Sequence, residues 1–108
     1  MGWLDFFKGP DIDAGVAQFL GTPGAALLDV RTPQEYRMGH IASSQNLPLQ
    51  EIAKAAQLFP QKETPLFIYC QSGARSRSAA AYLKRMGYTS VNDLGGINHY
   101  HGKVVGGI

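Results

Sequence analysis

Apolar positions first recur at helical spacing in DIDAGVAQFLG, residues 11–21, where Ile12, Val16, Phe19 and Leu20 stand three and four apart. Asp11 can cap this run and Gly21 can end it, so a first helix is predicted. AALLDV, residues 25–30, is a continuous apolar run too short for a helix before the break at Thr32-Pro33, and it reads as a buried strand. In TPQEYRMG, Thr32 can cap, Pro33 takes the first helical position, Glu35 falls three residues after the cap and Gly39 can end the turn. That predicts a short helix of two turns at most. QNLPL, residues 45–49, reads as an edge strand, because Pro48 cannot donate to a ladder. LQEIAKAAQLF, residues 49–59, returns to helical spacing through Leu49, Ile52, Ala56 and Phe59.

PLFIYC, residues 65–70, is the strongest strand signal: apolar and aromatic residues without polar alternation, as a strand buried on both faces requires. Cys70 stands at its carboxyl end. RSAAAYLKRMG, residues 77–87, predicts a helix with Ala79, Tyr82, Leu83 and Met86 on one stripe and Gly87 closing it. SVNDL, residues 90–94, is a last strand, and GGINHYHGK, residues 95–103, a short terminal helix. Strands alternating with helices predict an α/β fold, a mostly parallel sheet of about five short strands with helices on both faces. In such sheets ligands bind beyond the carboxyl ends of the strands. Asp29-Val30-Arg31 and the Cys70 loop are both delivered to that edge.

At 108 residues the chain is expected to be a single domain. Ten basic and eight acidic side chains are spread along it without a basic block, which argues against a nucleic-acid partner. No apolar run approaches a membrane span, and Phe6 stands where a myristoylation signal places Ser or Thr, so no membrane anchor is expected. The opening MGWLDFFKGPDID lacks a secretory pattern, and the single cysteine cannot form an internal disulfide. A cytoplasmic protein is expected on that basis. Trp3, Phe6 and Phe7 are expected to cover the end of the sheet rather than to dock a partner.

A strand-to-helix turn points backbone N–H groups inward, and the helix beyond adds the positive end of its dipole, so the loop after Cys70 forms an anion pocket. Gly73 lets it adopt dihedrals closed to other residues. A thiol there has its thiolate stabilised by the same N–H groups, which makes Cys70 a candidate nucleophile. Isolated cysteines are often plain core residues, but a core cysteine has no use for an anion cradle. Arg75 and Arg77 are near enough to add charge, and at least one is expected to face solvent. Asp29, Arg31 and Glu35 are expected to act mainly as scaffold, Arg31 bridging a carboxylate and loop carbonyls and Glu35 capping its helix. His40 is expected to pin its turn by a hydrogen bond rather than to move protons. His99 and His101 do not share a helix face and find no further ligands, so neither a metal nor any other cofactor is expected.

LLDVRTPQEYRMGHIASSQNLPL, LFIYCQSGARSRSAAAYLKRMGY and VNDLGGI together resemble a single-domain rhodanese over residues 11–103. The resemblance rests on three motifs in the family's order: Asp29-Val30-Arg31 with Glu35, Gly39-His40-Ile41 through Asn46 and Pro48, and the Cys70 loop with Gly95-Gly96. It departs at Ala42-Ser43-Ser44-Gln45, where that family more often shows a glycine and an alanine before the asparagine. The resemblance implies a sulfurtransferase in which Cys70 takes sulfane sulfur from a small anionic donor such as thiosulfate. Cys70 would hold it as a persulfide and pass it to cyanide or to an external thiol, dithiol or carrier protein. Gln71, Ser72, Gly73, Ala74 and Arg75 would bind the substrate, supported by Ser76 and Arg77. The alternatives are a non-catalytic binding or sulfide-sensing module and, less favoured, a cysteine phosphatase or arsenate reductase. Such phosphatases carry an arginine six positions after the cysteine, where this chain has Ser76 and places its arginines at five and seven.

Overall fold

The computed structural model describes residues 10–107, so the expectation for Trp3, Phe6 and Phe7 lies outside the described residues. Helix α1, Ile12–Leu20, begins where Asp11 Oδ1 accepts the N–H of Ala14 at 3.2 Å and ends at Gly21. Strand β1, Ala26–Asp29, is buried throughout. Helix α2, Pro33–Met38, carries the full capping box, with the Thr32 hydroxyl accepting from Glu35 N and the Glu35 carboxylate accepting from Thr32 N. Two short strands follow, β2 at His40–Ile41 and β3 at Gln45–Asn46.

The predicted helix over 49–59 is instead a 3-10 segment, Leu49–Lys54, and a single α turn, α3 at Ala55–Leu58. Glu51 breaks the regular helix at φ −110° and neither piece has a side-chain cap, so the apolar spacing survives while the helix does not. Strand β4, Leu66–Cys70, is buried at every position. Helix α4, Ala74–Arg85, starts three residues before the predicted Arg77, which brings Arg75 and Ser76 onto its first turn. Strand β5, Val91–Gly96, runs on through the two glycines expected to open a helix. Only one 3-10 turn, Ile97–His99, remains of that terminal helix, and strand β6, Val104–Val105, was not predicted.

The main sheet is parallel, with four strands in the order β3-β1-β4-β5, and β2 pairs with β6 in a separate antiparallel ribbon. The expected count of about five is thus four in the sheet and two outside it. Alternation along β4 sorts the core into two layers. Leu66, Ile68 and Cys70 join Leu28, Ala79 and Leu83 on the α4 face, while Phe67 and Tyr69 join Leu27, Ile12 and Val16 on the α1 face. Gly15 allows the close approach of α1, since a Cβ there would run into the Leu94 side chain of β5. From β1 the chain first moves to one side, to β3, and later to the other, to β4. The carboxyl ends of β1 and β4 therefore flank the topological switch point, where a ligand crevice is expected.

Candidate active site

Beyond β1, Asp29 and Arg31 form an ion pair that is almost wholly excluded from water, 0% and 4% exposed. Arg31 Nε lies 3.0 Å and 3.1 Å from the two Asp29 oxygens and Nη2 donates to Oδ2 at 2.7 Å, so the guanidinium is gripped along one edge. Its other donors reach Gly39 O at 2.7 Å and Gln71 Oε1 at 2.9 Å. Burial alone pulls the guanidinium pKa down, but the Asp29 carboxylate outweighs it and the net shift is upward. Gln71 passes the link on, its Nε2 donating to Asn98 Oδ1 at 2.6 Å. Asn46 holds the same corner, donating to Asp29 O and Arg31 O at 3.0 Å each.

Beyond β4, the chain turns within Gln71–Gly73 and enters α4. Gly73 sits at φ 112°, a left-handed conformation that disfavours other residues. This turn folds two backbone donors onto the sulfur: Gly73 N–H at 3.0 Å and Ser76 N–H at 3.3 Å from Cys70 Sγ. The Ser76 hydroxyl is spent on Gly73 O at 3.1 Å and Gly95 O at 3.4 Å, which ties the helix start to β5. Gly96 lies so close beneath the turn that a Cβ would overlap Gln71 O and come within 2.7 Å of Ser72 Cα. Among the described residues, the N–H groups of Ser72, Ala74 and Arg75 have no acceptor within the chain. The turn thus offers both a seated sulfur and free donors, the combination suited to a nucleophile that meets an anion.

The two arginines point to different places. Arg75 closes a two-bond ion pair with Glu35 at 2.7 Å and 3.0 Å, and this holds the Glu35 carboxyl at about 2, far below its usual 4.5. Arg77 lines an open cavity of about 830 Å³ together with Ser72, Gly73, Ala74, Asp93 and His99. The Cys70 thiol is 0% exposed and lies behind the turn rather than on the cavity wall. His40 Nδ1–H donates to Tyr36 O at 2.8 Å and the ring stacks on that of Tyr36. His101 pairs with Asp13 at 2.7 Å.

A family model for the rhodanese-like domain matches residues 14–103. The chain belongs to the rhodanese-like domain family. It is 37% identical over 71 residues to the thiosulfate sulfurtransferase PspE of Escherichia coli, spanning 65% of this chain and 68% of that protein. To the thiosulfate sulfurtransferase GlpE of Pseudomonas fluorescens it is 40% identical over 83 residues, spanning 74% and 72%. A solved structure described as rhodanese with anions from E. coli superposes with a TM-score of 0.71 at 33% identity, covering 77% of this chain and 99% of that one.

Within this rhodanese-like domain, the structure brings together Cys70, Gln71, Ser72, Gly73 and Ser76 around one turn, with Arg31 and Asp29 beneath Gln71. Ala74 and Arg75 belong to the first turn of α4 rather than to the loop. Asn98 and Asn46 were missed. Asn98 lies in the 3-10 turn after β5, in a segment whose sequence predicts a helix, and Asn46 lies in the short strand β3. A side-chain amide beside a strand end is the sole sequence signal either one gives.

Proposed function

We propose that this rhodanese-like protein is a sulfurtransferase that moves sulfane sulfur from an anionic donor such as thiosulfate to an external acceptor through a persulfide on Cys70. The observation that carries this reading is the seat of the thiol, where Gly73 and Ser76 N–H groups converge on Sγ at the end of a fully buried strand. The names of the PspE and GlpE relatives support the same class of reaction. The Cys70 thiolate attacks the outer sulfur of thiosulfate, a bond forms between the two sulfurs, and the bond to the inner sulfur breaks as sulfite leaves with the electron pair. The acceptor then attacks the outer sulfur of the persulfide, and Cys70 leaves as thiolate. The thiol is fully covered, so the Gln71–Gly73 backbone has to give way as a sulfur atom is added.

Gln71, Ser72, Gly73, Ala74 and Arg75 contribute backbone donors to the sulfur or to the departing anion, and Ser76 braces the turn from below. Cys70 is the only cysteine in the chain, so an external thiol, dithiol, cyanide or carrier protein takes the sulfur away. The unit that works this way is a single domain with its core over residues 11–103. A reducing cytoplasm is the setting that suits one unpaired thiol. Ser76 occupies the position where cysteine phosphatases carry their phosphate-clamping arginine, and it is wholly buried.

Incubation with thiosulfate followed by intact-mass measurement tests the reading. The expected result is a gain of one sulfur atom that is discharged by dithiothreitol and absent in Cys70→Ser. Absence of any sulfur adduct with thiosulfate and with organic persulfides would overturn it in favour of a binding module. Cys70-dependent turnover of para-nitrophenyl phosphate would revive the phosphatase.

A further inference from the structure

The first turn of α4 holds two arginines and no acid, against the preference of a helix start for negative charge. Arg75 is compensated there by its ion pair with Glu35, and it borders a separate small depression beside Thr32 and Pro48. Arg77 has no side-chain partner among the described residues, and it stands on the wall of the large cavity beside Ser72 and Gly73. The Arg77 side chain is exposed, so it is accessible to a ligand there. The carboxylates on the same cavity are already engaged. Asp11 accepts from Ala14 N at 3.2 Å, Asp13 accepts from His101 N at 2.8 Å and meets its ring, and Asp93 accepts from Gly95 N at 3.1 Å. The wall leaves open the Arg77 guanidinium, the His99 ring and the N–H groups of Ser72 and Ala74, and of these the guanidinium and the N–H groups are donors suited to oxyanions.

We propose that Arg77, not Arg75, recognises the oxyanion end of the sulfur donor, holding the sulfonate oxygens of thiosulfate against the wall of the turn that encloses Cys70. The inference rests on the sulfurtransferase reading above. A guanidinium fork matches two oxygens of such a group, while the unliganded N–H donors of the turn face the same space. Arg75 has one donor on each Nη committed to Glu35, so its fork is already occupied. A carboxylate on an acceptor thiol presents the same chemistry to Arg77, so the two halves of the cycle have to be measured apart.

Persulfide formation is followed by quench and intact mass over a range of thiosulfate concentrations for the wild type, Arg77→Gln, Arg77→Lys and Arg85→Gln. Discharge of the preformed persulfide is followed with uncharged dithiothreitol and with thioglycolate. Arg77→Gln is expected to raise the thiosulfate half-saturation about 10-fold, the loss of one charge-assisted contact, while the limiting rate stays within about 2-fold. Its dependence on ionic strength is expected to flatten, and Arg77→Lys to recover part of the affinity. Arg85 stacks on Tyr82 at the far end of α4, so Arg85→Gln should leave half-saturation unchanged. The melting temperature of Arg77→Gln should not fall. An unchanged half-saturation in Arg77→Gln, or an effect confined to discharge by thioglycolate, overturns the inference while wild-type persulfidation keeps the general reading intact. A wild type that takes up no sulfur from thiosulfate defeats both.

Discussion

Arg75 reaches back 40 positions in sequence to hold both oxygens of Glu35, at 2.7 Å and 3.0 Å. The same Glu35 closes the capping box of α2 by accepting from Thr32 N at 2.9 Å. One carboxylate therefore fastens the start of α2 to the start of α4. Its pKa is about 2 in the fold against 4.5 ordinarily, chiefly through the Arg75 hydrogen bonds. A folded value below the unfolded one means that the stabilisation is complete above pH 4.5 and is lost as pH falls toward 2. Both side chains are about a third exposed, 32% and 35%, so solvent screening limits the contribution to about 1 kcal/mol. Glu35→Gln should lower stability by that amount at neutral pH, and most of the gap to the wild type should close by about pH 3. Urea midpoints at pH 7, 5 and 3 measure it, and a gap that does not narrow with acid contradicts the assignment.

Gly96→Ala should damage activity more than fold. The added methyl overlaps Gln71 O and approaches Ser72 Cα within 2.7 Å, and both are backbone atoms that cannot rotate aside. The turn must shift, and with it the Gly73 and Ser76 donors on Cys70. A loss of at least about 10-fold in persulfide formation is expected, with destabilisation of about 1 to 3 kcal/mol from overpacking. Full activity in the folded variant would show that the turn tolerates displacement.

Ser43 is the one non-glycine among the described residues with positive φ, at 73°. It lies in the short connection between β2 and β3. Ser43→Gly should therefore relieve left-handed strain and stabilise the protein by about 0.5 to 1 kcal/mol, less the added freedom of glycine in the unfolded chain. A rise in the urea midpoint at unchanged slope is the expected reading, and a fall would mean that the serine side chain contributes more than its backbone costs.

Asp29→Ala leaves Arg31 charged in a site that is 4% exposed. Removing one member of a buried pair costs about 3 to 5 kcal/mol, a large share of the stability of a domain this size. Asp29→Asn keeps a polar partner for Arg31 and should lose less. Chemical denaturation of the two variants separates the charge from the hydrogen bonds, and near-wild-type stability of Asp29→Ala would refute the role given to the pair.

The elements legible in the sequence were those whose cause is local. The Asp11 cap, the Thr32–Glu35 box and the unbroken apolar run of β4 each carry their signal within a few residues, and each stands where it was expected. Where tertiary contacts decide, the pattern misleads. Gly95 and Gly96 looked like a helix approach but extend β5, because Gly96 fits beneath the turn and Asn98 N is drawn to Gln71 O at 3.2 Å. Helix α4 begins early because Ser72 and Gly73 complete the turn within fewer residues than the run of alanines suggests. Cys70 and its turn could be found from composition and order alone. Which arginine pairs with Glu35 could not, since the partner lies 40 positions away and both candidates occupy the same short stretch.

Arg31 ties its near neighbour Asp29, at the end of β1, to the Gly39 carbonyl between α2 and β2 and to Gln71 beside the thiol, 40 positions away. The chain neighbour of Cys70 is thus held from the end of β1, across the switch point of the sheet. The amides of Gly73 and Ser76, which have Cys70 Sγ as acceptor, should exchange with deuterium more slowly than those of Ser72, Ala74 and Arg75, which have none among the described residues. Slow exchange at the turn would then report that the ends of β1 and β4 are docked, whatever the thiol is doing.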